Sequence, residues 1–254
     1  MAVHDAARGF DTAADAYVRG RPEYPPEALA WVSRGLSLGP GRRILDLGAG
    51  TGKLSLALAA TGAEVLALEP SAGMLARAGA PRVHGLRALA EALPLRDASV
   101  DGAAAGTAFH WFDGGRAVPE LRRALRPGGR AALLWNLRDT AVPWIAALGE
   151  IVNRGEAGVP RYRHGLWRRA LVEAPGGFRL TEEAMFRHVH HLSLDQLLDR
   201  VTSVSFVAAA APAAREVVLD EVRALVASHP DTRGRDVLSL AYRTDAFLFE
   251  RLPG

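Results

Sequence analysis

Between Asp46 and Gly52 the chain reads Asp-Leu-Gly-Ala-Gly-Thr-Gly, and an acidic residue, Glu69, closes the next apolar stretch. Glycines at Gly48, Gly50 and Gly52 let a backbone turn tightly and approach a ligand with no Cβ in the way. A carboxylate at Glu69 can accept both hydroxyls of a ribose. Two nucleotide-like cofactor classes fit a glycine turn followed by an acid. Dinucleotide sites use G-x-G-x-x-G and place a helix amino terminus against a pyrophosphate. Here the spacing is G-x-G-x-G, and Asp46 stands two residues before its first glycine. A carboxylate so close would repel a pyrophosphate and suits a ligand carrying positive charge.

The other residues able to do chemistry are histidines. His110 follows an apolar stretch, and an imidazole has an unperturbed pKa suited to a base near neutrality. The competing reading is a histidine that packs beside Trp111 and shapes a pocket wall. Trp111 and Asn136, at the ends of neighbouring strands, are expected to line the same pocket. His188, His190 and His191 form the one histidine cluster, but on a strand His188 and His190 share a face and His191 points away. Two histidines without a third ligand make a poor metal site, so no metal is expected. The chain has no cysteine, which excludes disulfides, thiol nucleophiles and cysteine metal sites.

The elements that must position these residues follow a regular order. Arg43–Gly48 reads as a short buried strand, Leu54–Ala60 as an apolar helix closed by Gly62, and Ala63–Glu69 as a second buried strand. Ser71–Ala78 is a helix with Ser71 as its cap, Val83–His84 a short edge strand, and Ser99–Gly106 a strand of small residues. Arg116–Leu125 is a helix stopped by Arg126-Pro127-Gly128-Gly129, and Arg130–Asn136 another strand. This alternation predicts an α/β fold with a mostly parallel sheet and helices on both faces. From Leu137 the pattern changes. Helices are expected near 142–153, 166–172, 194–203 and 215–228, with strands at Phe178–Leu192 and Val237–Glu250. The division expected is a core at 1–137 with an amino-terminal cover segment, a helical lid at 138–235 that includes the strand near 178–192, and a returning strand at 236–254. A lid outside the sheet pattern is the natural substrate cover.

At this point the sequence resembles a family. Asp46 to Gly52 resembles the S-adenosylmethionine loop of the class I methyltransferases. Leu68-Glu69-Pro70-Ser71-Ala72-Gly73-Met74 is similar to the family's acidic strand end and the helix start beneath the adenine. Ala90-Glu91-Ala92-Leu93-Pro94-Leu95 resembles the loop that edges the adenine. Asp101 to Asp113 is similar to the fourth strand and its tip, and Arg126 to Arg130 to the turn before the fifth. Phe10-Asp11 through Tyr17, Arg21-Pro22 and Tyr24-Pro25 resembles the amino-terminal segment of enzymes related to trans-aconitate methyltransferase, as does Ala108 to Asp113. The resemblance implies a Rossmann-like, seven-stranded, mostly parallel sheet with a helical lid insertion. It implies S-adenosyl-L-methionine as cofactor, whose positive sulfonium and ammonium suit Asp46. The implied cofactor contacts are Tyr17, Arg21, Asp46, Gly48, Ala49, Gly50, Gly52, Glu69, Pro70, Met74, Ala90, Glu91 and Thr107. Relatives often carry Gln where this chain has Thr107. The substrate side would be His110, Trp111 and Asn136.

Composition narrows the acceptor. The formal charge is +3 and the sequence pI 9.8, but thirty of the 31 basic residues are Arg and Lys53 is the one Lys. That bias reads as a coding habit rather than a nucleic-acid surface, although Arg161, Arg163, Arg168 and Arg169 form a local cluster. Enzymes that methylate base amino groups typically carry Asp or Asn, then Pro-Pro and an aromatic, at the fourth strand tip; this chain has Thr107-Ala108-Phe109-His110 there. The expectation is therefore methyl transfer to a small-molecule O or N nucleophile, with no nucleic-acid and no membrane partner. The alternatives are a nucleic-acid methyltransferase and a non-catalytic cofactor-binding protein. No apolar run is long enough to span a membrane and Met1–Phe10 lacks a signal-peptide core, so the expected location is the cytoplasm.

Overall fold

The computed structural model describes residues 14–156, 160–173 and 177–253. Phe10 and Asp11 lie outside the described residues. Helix α1 spans Ala14–Gly20 and α2 Pro26–Leu36, the latter with proline in its first turn, where a missing N–H costs nothing. Strand β1 (Arg43–Leu47), helix α3 (Lys53–Ala59), strand β2 (Glu64–Leu68), helix α4 (Ala72–Leu75), strand β3 (Val83–Leu86) and strand β4 (Val100–Gly106) follow. Helix α5 (Gly114–Ala124), strand β5 (Leu125–Arg138), helix α6 (Pro143–Asn153), helix α7 (Leu166–Glu173) and strand β6 (Phe178–Leu192) come next, then helices α8 (Leu194–Thr202), α9 (Ser205–Ala208) and α10 (Pro212–Ser228), and strand β7 (Leu238–Arg251).

The seven strands form one sheet in the order β3-β2-β1-β4-β5-β7-β6. The ladders β3–β2, β2–β1, β1–β4 and β4–β5 are all parallel. β1 and β4 are buried on both faces except at Arg43 and Gly106, which is why they read as continuous apolar or small-residue runs rather than alternating ones. The chain builds β2 and β3 on one side of β1, then crosses to place β4 on the other. That reversal is a topological switch point, and its crevice lies beyond the carboxyl end of β1, where open α/β sheets bind ligands.

Contacts divide the chain into two compact units, neither continuous in sequence. Among the described residues, the first comprises 14–22, 137–156 and 187–243; the second comprises 23–136, 160–173, 177–186 and 244–253. The core of the second unit joins Ala28, Val32 and Leu36 of α2 to Ile44, Leu58, Val65, Ala104, Leu134 and Leu248. That of the first joins Trp144, Ile145 and Leu148 of α6 to Leu197, Val201, Val222, Leu240 and Tyr242.

Several boundaries differ from the sequence-based ones. The helix expected over Ser71–Ala78 is helical only to Leu75; beyond it Arg77 and Ala78 bond three residues back, to Met74 and Leu75, a tightened final turn. β5 starts at Leu125, not Arg130, because Leu125 already pairs with Val100; the register then shifts before Gly102 meets Arg130, so 126–129 form a bulge. α10 begins at Pro212 rather than Arg215, since proline fits a first helical turn. Among the described residues no helix is long and apolar enough to cross a membrane.

Candidate cofactor and active site

The switch-point loop lies in the second unit and is shaped by close approach. Gly48 has φ +66, and a Cβ there would lie 2.6 Å from the Cβ of Ala108; Gly52 has φ +84, and a Cβ there would lie 2.7 Å from the Cα of Ala78. Neither position admits a side chain without moving backbone. The loop is fixed by Ala49 N–H donating to Leu68 O at 3.0 Å and Gly52 N–H donating to Ala49 O at 2.9 Å.

Glu69 stands immediately after β2 and faces this loop. Its Oε2 accepts from Gly50 N–H at 3.0 Å, and its Oε1 accepts from Ser71 N–H at 2.9 Å. A carboxylate accepts several hydrogen bonds, which is what a pair of ribose hydroxyls requires. Ser71 caps α4 by accepting from Met74 N–H at 3.1 Å. Met74 is buried, and its Cε would lie 3.4 Å from a Cβ at Gly50. Pro70 accepts from Arg87 through its carbonyl. Ala90 is buried, and Glu91 accepts from Asp113 N–H at 2.8 Å, tying the Ala90–Glu91 loop to the segment after β4.

Asp46 is fully buried. Ser55, on the inward face of α3, donates to its Oδ2 at 2.6 Å, and its Oδ1 has no partner among the described residues. Burial pushes the carboxyl from 3.8 up to about 7; the Ser55 hydrogen bond opposes that shift, and the nearby Glu69 charge adds to it. An unpartnered, desolvated carboxylate oxygen beside a second carboxylate is a site waiting for a cation. A pyrophosphate there would add charge of the same sign. The glycine cradle, the two acids and the orphaned Oδ1 thus fit S-adenosylmethionine and not a dinucleotide.

The tip of β4 carries the remaining candidates. Thr107 has φ +55, a left-handed conformation that a β-branched residue adopts only under constraint. Its N–H donates to Leu134 O at 2.6 Å, and its Oγ1 lies 3.4 Å from the hydroxyl of Tyr24 and accepts from Asn136 N–H at 3.4 Å. Asn136 uses both ends of its amide within the unit: Nδ2 donates to Glu23 O at 3.2 Å, and Oδ1 accepts from Thr244 at 2.6 Å. His110 lies in a short 3-10 turn, Phe109–Trp111. Its ring is 5.2 Å from that of Trp111, and its Nδ1 accepts from the Trp135 indole N–H at 3.1 Å. Trp135 in turn lies against Trp167, Tyr162 and Phe247.

Tyr17 and Arg21 lie in the first unit. The Arg21 guanidinium sits 4.8 Å over the Tyr17 ring and donates to Ser203 through Nε at 3.0 Å and Nη2 at 2.9 Å. His188 and His190 flank Tyr242, His188 stacked on it at 5.5 Å. Among the described residues no three metal-ligating side chains come together.

Sequence reasoning missed Ser55, Trp135 and Thr244, and quoted Tyr24 within the amino-terminal segment without giving it a partner. Ser55 had a readable signal, a polar residue within the otherwise apolar Leu54–Ala60. Tyr24 reaches Thr107 and Thr244 reaches Asn136 across 83 and 108 residues, with no local pattern to announce them.

Comparisons with known proteins agree with this geometry. A family model described as a methyltransferase domain matches residues 45–133. An "Uncharacterized methyltransferase" of Mycobacterium tuberculosis is 40% identical over 242 residues, 94% of each chain. A malonyl-[acyl-carrier protein] O-methyltransferase of Methylococcus capsulatus is 48% identical over 101 residues, 37% of each chain. A solved structure described as "a Putative Type II Methyltransferase from Anaeromyxobacter dehalogenans" superposes with a TM-score of 0.66 at 28% identity, covering 92% of this chain and 99% of that one. With the cradle built as that chemistry requires, the chain belongs to the class I S-adenosylmethionine-dependent methyltransferases.

Proposed function

We propose that the acceptor is a small molecule offering an O or N nucleophile. The observation that carries this reading is the tip of β4. Where enzymes that methylate base amino groups carry Asp or Asn, Pro-Pro and an aromatic, it has Thr107, Ala108-Phe109 and His110. That departs from the motif those enzymes use on a base extruded from the stack and argues against that chemistry. The Methylococcus relative, similar over part of the chain, by its name methylates the oxygen of a carrier-bound malonyl group.

S-adenosylmethionine supplies a methyl group already activated by its sulfonium. What remains for the protein is to bind, align and exclude water. Asp46 and Glu69 hold the charged and ribose ends, with Gly48, Ala49, Gly50 and Gly52 allowing close backbone approach. Pro70, Met74, Ala90 and Glu91 edge the adenine, and Thr107 borders the reacting end. Tyr17 and Arg21 are retained as cofactor contacts on the resemblance. An indole nitrogen is a donor only, so His110 Nδ1 is an acceptor and the neutral ring carries its proton on Nε2. A base at Nδ1 would have to surrender the Trp135 bond. His110 is therefore assigned to the acceptor side of the site, beside Trp111 and Asn136, and the transfer is driven mainly by proximity. The proposed location is the cytoplasm, without nucleic-acid or membrane partners.

Labelled S-adenosylmethionine incubated with small-molecule pools and with bulk nucleic acid tests the reading. Transfer into the small-molecule fraction is expected; dominant transfer into nucleic acid would overturn it.

A further inference from the structure

The first unit holds a buried positive charge that the methyl-transfer reading does not use. Arg200 lies on the inward face of α8 with Leu197 and Val201, both members of that unit's apolar core. It is 7% exposed. Its Nε donates to the Tyr242 hydroxyl oxygen at 2.9 Å, while its Nη1 is buried with no partner among the described residues. Arginine does not shed its charge, and a desolvated guanidinium without a counter-ion is costly.

No carboxylate among the described residues supplies that counter-ion. Asp199, the residue before, is committed to Arg19 through both oxygens, at 2.6 and 3.0 Å. The groups bonded to or packed on this pair, Tyr242, His188 and Ser203, bring no negative charge. Tyr242 is 1% exposed; its oxygen accepts from Arg200, which leaves its own hydroxyl hydrogen to donate. His188 is stacked on Tyr242. Ser203 donates to Arg200 O at 2.8 Å and also receives the Arg21 guanidinium. The planar fork of a guanidinium is complementary to a carboxylate or a phosphate.

We propose that the first unit carries an oxyanion-binding site centred on Arg200 and completed by the Tyr242 hydroxyl, taking a small carboxylate or phosphate. The site is built from that unit's own residues and is independent of the acceptor assigned above.

The test uses the full chain and two probes, inorganic phosphate and acetate, each titrated by calorimetry at constant ionic strength with chloride as the blank. Saturable binding of at least one probe is expected in the wild type, with the stronger probe naming the ligand class. Arg200→Gln should weaken it at least tenfold and Tyr242→Phe severalfold, with S-adenosylhomocysteine affinity unchanged in both. If Arg200→Gln does not fold, Tyr242→Phe, which keeps the charge and loses one oxygen, decides alone. Failure of both probes to bind the wild type, or wild-type affinity in the variants, would overturn the site. Loss of S-adenosylhomocysteine affinity in Arg200→Gln, with competition between that ligand and phosphate, would assign Arg200 to the cofactor and also overturn it. Failure of the wild type to bind S-adenosylhomocysteine would count against the methyltransferase site alone.

Discussion

Replacing Asp46 with Asn separates what this residue does for the ligand from what it costs the fold. Its carboxyl is raised from 3.8 to about 7, chiefly by burial. The folded state therefore holds the proton more tightly than the unfolded chain does. Stability is complete below about pH 4, falls as pH rises toward 7, and is flat above it. At about 1.4 kcal/mol for each tenfold change in proton affinity, the loss above pH 7 is about 4 kcal/mol as an upper bound. Asn keeps the shape, can still accept from Ser55 and never ionises. Asp46→Asn should thus match the wild type near pH 4 and be more stable at pH 8, by up to about 10 °C in melting temperature for a chain of this size.

The ligand reverses the order. A sulfonium and an ammonium favour the ionised carboxylate, so cofactor affinity in the wild type should rise as pH increases through about 7, with a proton released on binding below that point. Asp46→Asn should bind S-adenosylmethionine at least tenfold more weakly, consistent with about 1.5–3 kcal/mol for a hydrogen bond to a charged group. Melting curves from pH 4 to 8, with and without cofactor, and calorimetry in two buffers of different ionisation enthalpy read both effects. A variant no more stable than the wild type at pH 8, or a difference that does not change with pH, would refute the claim that Asp46 is ionised at a cost.

The other predictions concern the same loop and its neighbours. Glu69→Ala should lose about 1.5–3 kcal/mol of S-adenosylhomocysteine affinity by calorimetry, and the amides of Gly50 and Ser71, which it now accepts from, should exchange faster; an unchanged dissociation constant would exclude the ribose role. Gly52→Ala forces a Cβ to 2.7 Å from backbone at φ +84 and should lower the denaturation free energy by more than about 2 kcal/mol. Gly79→Ala, where a Cβ meets nothing within 4 Å, should stay within about 0.5 kcal/mol, and equal losses at both positions would show that the close approach is not what Gly52 serves. Nitrogen-15 spectra of the His110 ring should show Nδ1 unprotonated in the wild type; a proton on Nδ1 would refute the Trp135 bond and restore the base.

The cofactor half of the fold was legible because its signals are local. Asp46 to Gly52 encodes a turn between a buried strand and an apolar helix within a few residues, and the parallel order follows from alternation and crossover handedness. Conversely, the sequence misplaced the start of β5, since Arg126-Pro127-Gly128-Gly129 reads as a turn while Leu125 is already paired with Val100. Pairing is a tertiary fact, and it overrides turn chemistry at a bulge.

The less legible half is where chemistry depends on residues brought from afar. Arg21 enters the sequence reading as a cofactor contact that the resemblance implies; in the fold its guanidinium donates to Ser203, 182 residues away. Arg200 reads as one charge on an amphipathic helix whose polar face ordinarily points to water. Its period, with Leu197 three residues before and Val201 one after, places it on the buried face, so the pattern held the clue and only charge argued against it. Charged residues at apolar-face positions are where local rules and the fold disagree, and such disagreements concentrate at ligand sites. Asp46 is the same case inside β1, a carboxylate within a strand that otherwise buries apolar groups. Its ligand could be inferred because a glycine loop stood beside it; Arg200 has no such neighbour, and its partner must be sought from the charge it lacks.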